Sequence, residues 1–504
     1  MMADERDDAR FARREADWRQ GAIVYQVLVD RFAPAADLQA KRHHYAAPRR
    51  LRAWHESPAP GPYLPDEGLW SHELEFWGGD LQSLRARLDH VRALGADVLY
   101  LNPIHAAFSN HKYDASDYHA IAPEFGDHGD LDALVADVHA AGMKLVLDGV
   151  FNHMGRRAPR FEQALADREH AFRDWFAWVG DPADVARGWM DARNLPELNL
   201  ENPAVRDYLY EGDASVVQDY LRRGIDGWRL DVAYDLGFEW LAALSAAAHR
   251  ARPGCLVVGE IANYPGDWLR CLDGVVGFTM RELVLRMARG EVPAPTAARM
   301  VERLVRDAGI EPTLRSWLML DNHDTPRLAT ALPEAGPRRL AQVLQFTLPG
   351  SPNLFYGSEL GMTGGDDPQM RGPMPWDLAN EANPELAWTR RLVALRKARR
   401  GLRIGDFRLL EATRLFAFER YTDRSADTVL VLANPGPEAV EETVLVPDSR
   451  LMNMGRLLDL LDPHAPPVVI ESALLRVRLP PAGIRVLGLE TAPRQAYTPY
   501  KRVP

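Results

Sequence analysis

In the stretch Gly227-Trp-Arg-Leu-Asp-Val-Ala233 an arginine and a carboxylate stand two positions apart in an otherwise mostly apolar run. Read as a strand, the run points Arg229 and Asp231 to one face while Leu230 and Val232 pack behind them. A guanidinium beside a carboxylate keeps it ionised and fixes its position. Alone, the run reads equally as a buried ion pair closing a strand. Recurrence separates the two readings, because other apolar runs also end in polar clusters: Asp148-Gly-Val-Phe-Asn152-His153, Gly259-Glu260 and Asp321-Asn322-His323-Asp324. Four such ends at one mouth make a candidate site with Asp231, Glu260 and Asp324 as its functional carboxylates. Asp148 belongs either to that chemistry or to its support.

A scaffold has to gather those ends. Strand-like runs at 22–32, 97–104, 144–150, 227–233, 256–261, 274–278, 315–320 and 353–356 alternate with helix-like segments, among them 81–94 (stopped by Gly95), 131–141, 205–222 and 385–397. Eight such units predict the α/β class and a closed (β/α)8 TIM barrel over 21–400, whose active site forms at the C-terminal strand ends. The span exceeds the about 250 residues typical of that fold, so it must carry insertions. One, at 42–77, holds Tyr45, Trp54, Tyr63, Trp70, Phe76 and Trp77; the other, a small insertion domain at 155–202 after the third strand, holds Phe172, Trp175, Phe176, Trp178 and Trp189. Long ordered loops of this kind are usually functional. Residues 401–490 read as a small antiparallel β domain with strands at 415–421, 428–433 and 474–479. Residues 1–20 form a polar N-terminal segment, and the tail 491–504 has no periodicity.

Composition narrows the function classes. A formal net charge of −11 argues against nucleic acid or an anionic membrane as the main partner. The two cysteines, Cys255 and Cys271, make no disulfide framework, and no spaced Cys/His cluster marks a metal site. Residues 1–20 lack the apolar core of a signal peptide and no later run is long and apolar enough to span a bilayer, so a cytoplasmic location is expected.

The four signature stretches, in this order and on these strands, resemble those of glycoside hydrolase family 13, the α-amylase family. Within it, Ser109-Asn-His-Lys-Tyr-Asp-Ala-Ser-Asp-Tyr118, Leu195-Pro-Glu-Leu-Asn199 and Gly364-Gly-Asp-Asp-Pro-Gln-Met-Arg371 are most similar to the neopullulanase and cyclomaltodextrinase branch. The resemblance implies a retaining α-glucoside hydrolase for short linear or cyclic α-1,4-gluco-oligosaccharides. Asp231 would attack the anomeric carbon, with Arg229 holding it ionised and aimed. Glu260 would protonate the leaving oxygen and then deprotonate the incoming acceptor, and Asp324 would brace the sugar hydroxyls. By the same resemblance Tyr113 stacks on the reacting glucose, His153 and His323 bond its hydroxyls, Asp148 and Asn152 support Arg229, and Asp367 and Arg371 grip the next sugar. Trp54, Trp70 and Tyr234 are candidate acceptor subsites.

The sequence departs from the branch in three places. Tyr234-Asp235 replaces its usual Asn-Glu, on the leaving-group side. Asp235 also stands where many α-amylases bind calcium through a histidine backbone; no cofactor is expected, and no residue pattern supports a structural calcium. The N-terminal β-sandwich common in the branch has no room before a first strand near residue 22. Leu195-Pro-Glu-Leu-Asn199 lacks the Gln-Pro-Asp pattern of oligo-1,6-glucosidases, which favours α-1,4 bonds. The alternatives are an α-glucan transglycosylase, or an α-glucosidase for another linkage, using the same site. A non-catalytic carbohydrate-binding homologue would be expected to lack one of the three carboxylates, and all three are present.

Overall fold

The computed structural model describes residues 2–180, 182, 185–492 and 497–503, with side chains from residue 9 onward. Met1, and the parts of the expected 155–202 insertion and 491–504 tail at positions 181, 183, 184, 493–496 and 504, lie outside the described residues. Eight strands make the central sheet: β1 Val24–Val27, β2 Val98–Leu101, β3 Lys144–Gly149, β4 Gly227–Leu230, β5 Leu256–Ile261, β6 Gly274–Gly277, β7 Trp317–Met319 and β8 Ser351–Phe355. They pair in parallel in chain order and β8 closes on β1, giving the TIM barrel that the alternation predicts.

The pleat divides each strand between two cores. Val24, Val98, Tyr100, Val146, Val258, Val276, Trp317 and Met319 fill the barrel interior. Residues of the other parity, such as Tyr25, Leu99, Leu147, Trp228 and Val257, belong to the larger core under the helices. Interior side chains stacked in layers leave a packed barrel with one functional end.

Several expected strands stop early, for local reasons. The run at 22–32 ends at Val27, and Val29–Phe32 turns helical. There the Asp30 carboxylate accepts the backbone N–H groups of Trp77 (3.0 Å) and Gly78 (2.9 Å) while pairing with Arg31, a side-chain alternative to the strand ladder. The run at 227–233 ends at Leu230 because Val232 takes the left-handed region (φ 37°) and Ala233–Ala251 begins a helix. The helix expected at 81–94 is two, Leu81–Ala86 and Leu88–Leu94, broken at Arg87, whose guanidinium lies over the Trp376 ring. The helix expected at 205–222 divides into Pro203–Arg206, a wide turn Asp207–Glu211 and Val216–Arg223.

Beyond the barrel lie β9 Asp406–Leu409, β10 Phe416–Tyr421, β11 Val429–Asn434, β12 Val440–Leu445, β13 Arg456–Asp459, β14 Val468–Glu471, β15 Leu474–Leu479 and β16 Gly483–Leu489. They form one antiparallel sheet in the order β9-β10-β11-β16-β13-β14-β15-β12, with its own core around Leu430, Val444, Leu475 and Leu487. Tyr500 packs into that core and its hydroxyl accepts the Met452 N–H. The N-terminal residues make a helix, Met2–Ala16, whose Phe11 is buried and whose Arg14 pairs with Asp406 at 2.8 Å. No helix among the described residues is long and apolar enough to cross a membrane.

Strand β4 lies against β5 at Gly227, where a Cβ would overlap the Leu256 carbonyl oxygen. Gly227→Ala is therefore expected to cost about 1–3 kcal/mol, seen as a lower midpoint of thermal unfolding. An unchanged midpoint would mean that β4 and β5 have slack at this point.

Candidate active site

Arg229 sits opposite Asp148 on β3 and Val258 on β5, which places its side chain inside the barrel near the C-terminal rim. Its Nη1 donates to both Asp148 oxygens (2.8 and 3.0 Å) and to Asp231 Oδ1 (2.9 Å). Its Nη2 lies 2.8 Å from Glu260 Oε1. The second Glu260 oxygen accepts the N–H of Val232 at 3.0 Å, so the left-handed turn after Asp231 aims a backbone donor at the neighbouring strand's carboxylate. Tyr100 and Tyr113 hydroxyls donate to Asp148 Oδ2 at 2.6 and 2.9 Å.

Around this knot runs a second ring of contacts. The Tyr113 and His323 rings are near-parallel, with centroids 5.4 Å apart. His323 Nε2 is 2.9 Å from Asp324 Oδ2, and Gln26 Nε2 is 2.8 Å from His323 Nδ1. With Gln26 donating to Nδ1, the imidazole carries its proton on Nε2, toward Tyr113 and Asp324. Asn102 donates to the Tyr113 hydroxyl at 3.0 Å. Arg371 links Asp324 (3.3 Å) to Asp367 (3.2 Å), and His72 Nε2 lies 3.5 Å from the other Asp367 oxygen.

These groups surround a cavity of about 660 Å³, a size usual for small-ligand sites. Asp231, Glu260, Asp324, Tyr113, His153, His323, Asp367, Arg371, Trp70 and Tyr234 all face it. Asp148 and Arg229 lie buried beneath and act through the others. Two expected residues are elsewhere. Trp54 does not line the cavity; its indole donates to the Met374 carbonyl at 3.1 Å. Asn152 makes no bond to Arg229 and instead contacts His153 Nδ1 at 3.5 Å. Tyr100, Gln26, Asn102, His72 and Met190 join the site without having been singled out, and Trp189, named only among the aromatics of the insertion, joins it too; Tyr100 and Asn102 share the inward parity of Val98, which is the signal that marks them.

A family profile described as alpha amylase, catalytic domain, matches residues 26–389. The chain belongs to the α-amylase family. It is 31% identical over 490 residues to a cyclomaltodextrinase of Geobacillus thermopakistaniensis (strain MAS1), covering 94% of this chain and 78% of that one. It is 33% identical to neopullulanase 2 of Thermoactinomyces vulgaris, over 86% of this chain and 72% of the relative. Among solved structures it is similar to a cyclic α-maltosyl-(1→6)-maltose hydrolase from Arthrobacter globiformis, with a TM-score of 0.78 and 29% identity over 94% of this chain and all of that one. The protein is thus an α-amylase-family glycoside hydrolase.

In this α-amylase-family site Arg229 favours the ionised form of Asp231, and burial works against it. Burial raises the Asp231 carboxyl well above the usual range; Arg229 opposes this, while Glu260, Asp148 and Asp324 add to it. One guanidinium is shared among three buried carboxyl groups, so it offsets the burial of Asp231 only in part. Asp324 differs: burial works to raise it, but His323, whose Nε2–H points at it, and then Arg371 hold it well below the usual range. Against the same opposing burial, the His72 hydrogen bond and Arg371 bring Asp367 to about 2. Burial pushes His153 down to about 3, so this imidazole is neutral, and its Nε2 has no protein partner among the described residues. No group of three or more His, Cys, Asp or Glu side chains among the described residues is disposed to hold a metal ion.

Because folding raises the Asp231 pKa, this carboxyl favours the folded state below its unfolded value of about 3.9. That contribution is lost as pH rises through the folded value. By pH 7 that loss disfavours folding relative to a neutral side chain, so the isosteric Asp231→Asn is expected to unfold at a higher temperature, by about 1 °C for each kcal/mol relieved in a chain of this length. The two proteins should converge near pH 4. Equal midpoints at pH 7 would show that Arg229 fully offsets the burial.

Proposed function

We propose that this protein is a retaining α-glucoside hydrolase acting on short linear or cyclic α-1,4-gluco-oligosaccharides, with Asp231 as nucleophile and Glu260 as acid/base. The observation that carries this reading is the pair of contacts from one guanidinium, 2.9 Å to Asp231 and 2.8 Å to Glu260, with both carboxyl groups facing one cavity. Adjacent guanidinium nitrogens keep the two groups close, in keeping with the separation of about 5 Å used by retaining pairs. The substrate class draws support from relatives named for cyclomaltodextrin and pullulan cleavage.

The proposed chemistry requires Glu260 to enter as the acid, carrying a proton, and Asp231 as the carboxylate nucleophile. Asp231 attacks the anomeric carbon as the glycosidic C–O bond breaks, and Glu260 delivers its proton to the departing oxygen. Glu260, now a carboxylate, takes a proton from water, whose oxygen attacks the same carbon and releases Asp231. Asp324, kept ionised by His323 and Arg371, accepts hydroxyl hydrogen bonds as the ring flattens. Neutral His153 offers its unpartnered Nε2 to another hydroxyl, and Tyr113 presents its ring to the sugar face. Asp367 and Arg371 line the wall beyond Asp324 and receive the next sugar toward the non-reducing end. A cytoplasmic location belongs to the same reading, supported by 30% identity to an intracellular maltogenic amylase of Bacillus subtilis (strain 168).

Maltotriose needs an acid to expel its leaving sugar, whereas α-maltosyl fluoride does not. Glu260→Gln is expected to lower kcat/KM for maltotriose by about 10²–10⁴-fold and to affect the fluoride far less, and Asp231→Ala to abolish both. The sugar first released by the wild type should be the α-anomer by proton NMR. Equal losses on the two substrates would remove Glu260 from the acid role, and a β-anomer would exclude retention.

A further inference from the structure

The loop 188–192, part of the excursion after β3, forms a lip on the cavity whose shape comes from unusual backbone. Met190 (φ 47°) and Asp191 (φ 64°) are consecutive non-glycine residues in the left-handed region. Such conformations persist only where surrounding contacts over-determine them, and they gather at ligand-binding positions. Here Trp189 N–H donates to the Leu195 carbonyl (3.0 Å), Ala192 N–H to the Trp189 carbonyl (2.9 Å) and Asp191 N–H to the Gly188 carbonyl (3.1 Å). Gly188 sits where a Cβ would overlap the Ala192 carbonyl oxygen. Met190, 78% exposed, projects from the lip as an apolar side chain with no packing role.

Two side-chain contacts anchor the lip to the catalytic centre. The Trp189 indole stacks on the His153 imidazole, with centroids 5.7 Å apart and planes 26° apart. Its Nε1 donates to Asp235 Oδ2 at 2.8 Å. Asp235 and Tyr234 follow Asp231 by four and three residues, at the start of the helix Ala233–Ala251. These are the positions at which the sequence departs from its branch. The lip is therefore tied to the tip of β4, beside β5 and the proton-donating Glu260, while Asp324, Arg371, Asp367 and His72 lie together on another part of the wall. Glu260, the acid of the proposed mechanism, thus lies on the same side of the cavity as the lip's anchor.

Resting on the function proposed above, we propose that Trp189 and Met190 form the platform for the first leaving-group or acceptor glucosyl unit, facing Tyr234, and that Asp235 is the positioning residue that holds the platform in place. An α-glucan offers alternating C–H faces and hydroxyls, which an indole, a thioether chain and a phenol can meet by stacking and hydrogen bonding. Trp54, packed away from the cavity, takes no part.

The test compares substrates that do and do not fill this position. Maltotetraose places a sugar there; α-maltosyl fluoride places a fluoride. On one preparation of each enzyme, the ratio of kcat/KM for maltotetraose to that for the fluoride reads the acceptor platform, and partial misfolding cancels. Trp189→Ala and Asp235→Ala are each expected to lower this ratio about tenfold, mostly through KM, while Asp235→Asn, whose amide oxygen still accepts the indole N–H, should stay within about twofold of wild type. An unchanged ratio in Trp189→Ala and Asp235→Ala would overturn the proposal. So would an Asp235→Asn loss equal to that of Asp235→Ala, because the bond to Trp189 would then not be what matters. A wild-type enzyme that turns over neither substrate would refute the underlying function instead, and the platform with it.

Discussion

A single buried guanidinium holds the catalytic end of this barrel together. Arg229 touches carboxylates from the tips of β3, β4 and β5, and among the described residues no other cation reaches all three. Removing it would leave several buried negative charges without a counter-ion, a change that typically costs about 3–5 kcal/mol for even one broken buried pair. Tyr100 and Tyr113 add their hydroxyls to Asp148 Oδ2, and Val232 N–H occupies the remaining Glu260 oxygen, so few lone pairs in the knot are unused. Strand register exists here in the service of charge. A slip of one residue between β3 and β4 would turn Arg229 or Asp148 out of the barrel and dissolve the network.

The opposite end of the barrel is fastened by a different use of the same residue type. Buried Arg396 donates to the Phe346 carbonyl at 2.8 Å and to the Gly21 carbonyl at 3.2 Å. Arg420 of β10 reaches the Thr347 carbonyl at 2.8 Å and the Gly405 carbonyl at 2.9 Å. Carbonyl oxygens satisfy the donors without a full counter-charge, and burial accordingly lowers both side chains, Arg396 to about 9 and Arg420 well below its ordinary value. Arginine on carbonyls secures the closure between barrel and C-terminal sheet; arginine on carboxylates stores the charge that the chemistry uses.

Strand-end polarity was readable in the sequence because barrel parity is strict. Val146 and Asp148, or Val258 and Glu260, alternate on one face, so an apolar interior position predicts an inward polar residue two places later. What stayed hidden depended on partners distant in the chain. The Arg229–Glu260 contact needs the register of β4 against β5, and the retreat of Trp54 depends on a carbonyl 320 positions away. Early strand ends at Val27 and Leu230 were hidden for another reason. They follow from Asp30 capturing backbone groups near residue 77 and from a β-branched Val232 in the left-handed region, an outcome no propensity scale favours. The Tyr100 contact to Asp148, by contrast, obeys parity and was available to a stricter application of the same rule.

The rim of the cavity is made where two excursions meet. The hairpin formed by Tyr63–Leu64 and Leu69–Trp70, from the loop after β1, reaches the excursion after β3 through Glu67 and Arg157 at 2.7 Å, with Gly68 lying against Arg193. Neither excursion contributes to the Arg229 knot. The aperture is consequently a property of a loop–loop junction, open to small substitutions or length changes that leave the strand tips where they are. Such a separation gives a lineage cheap access to new glucan shapes, because each trial alters the doorway and leaves the machinery behind it intact.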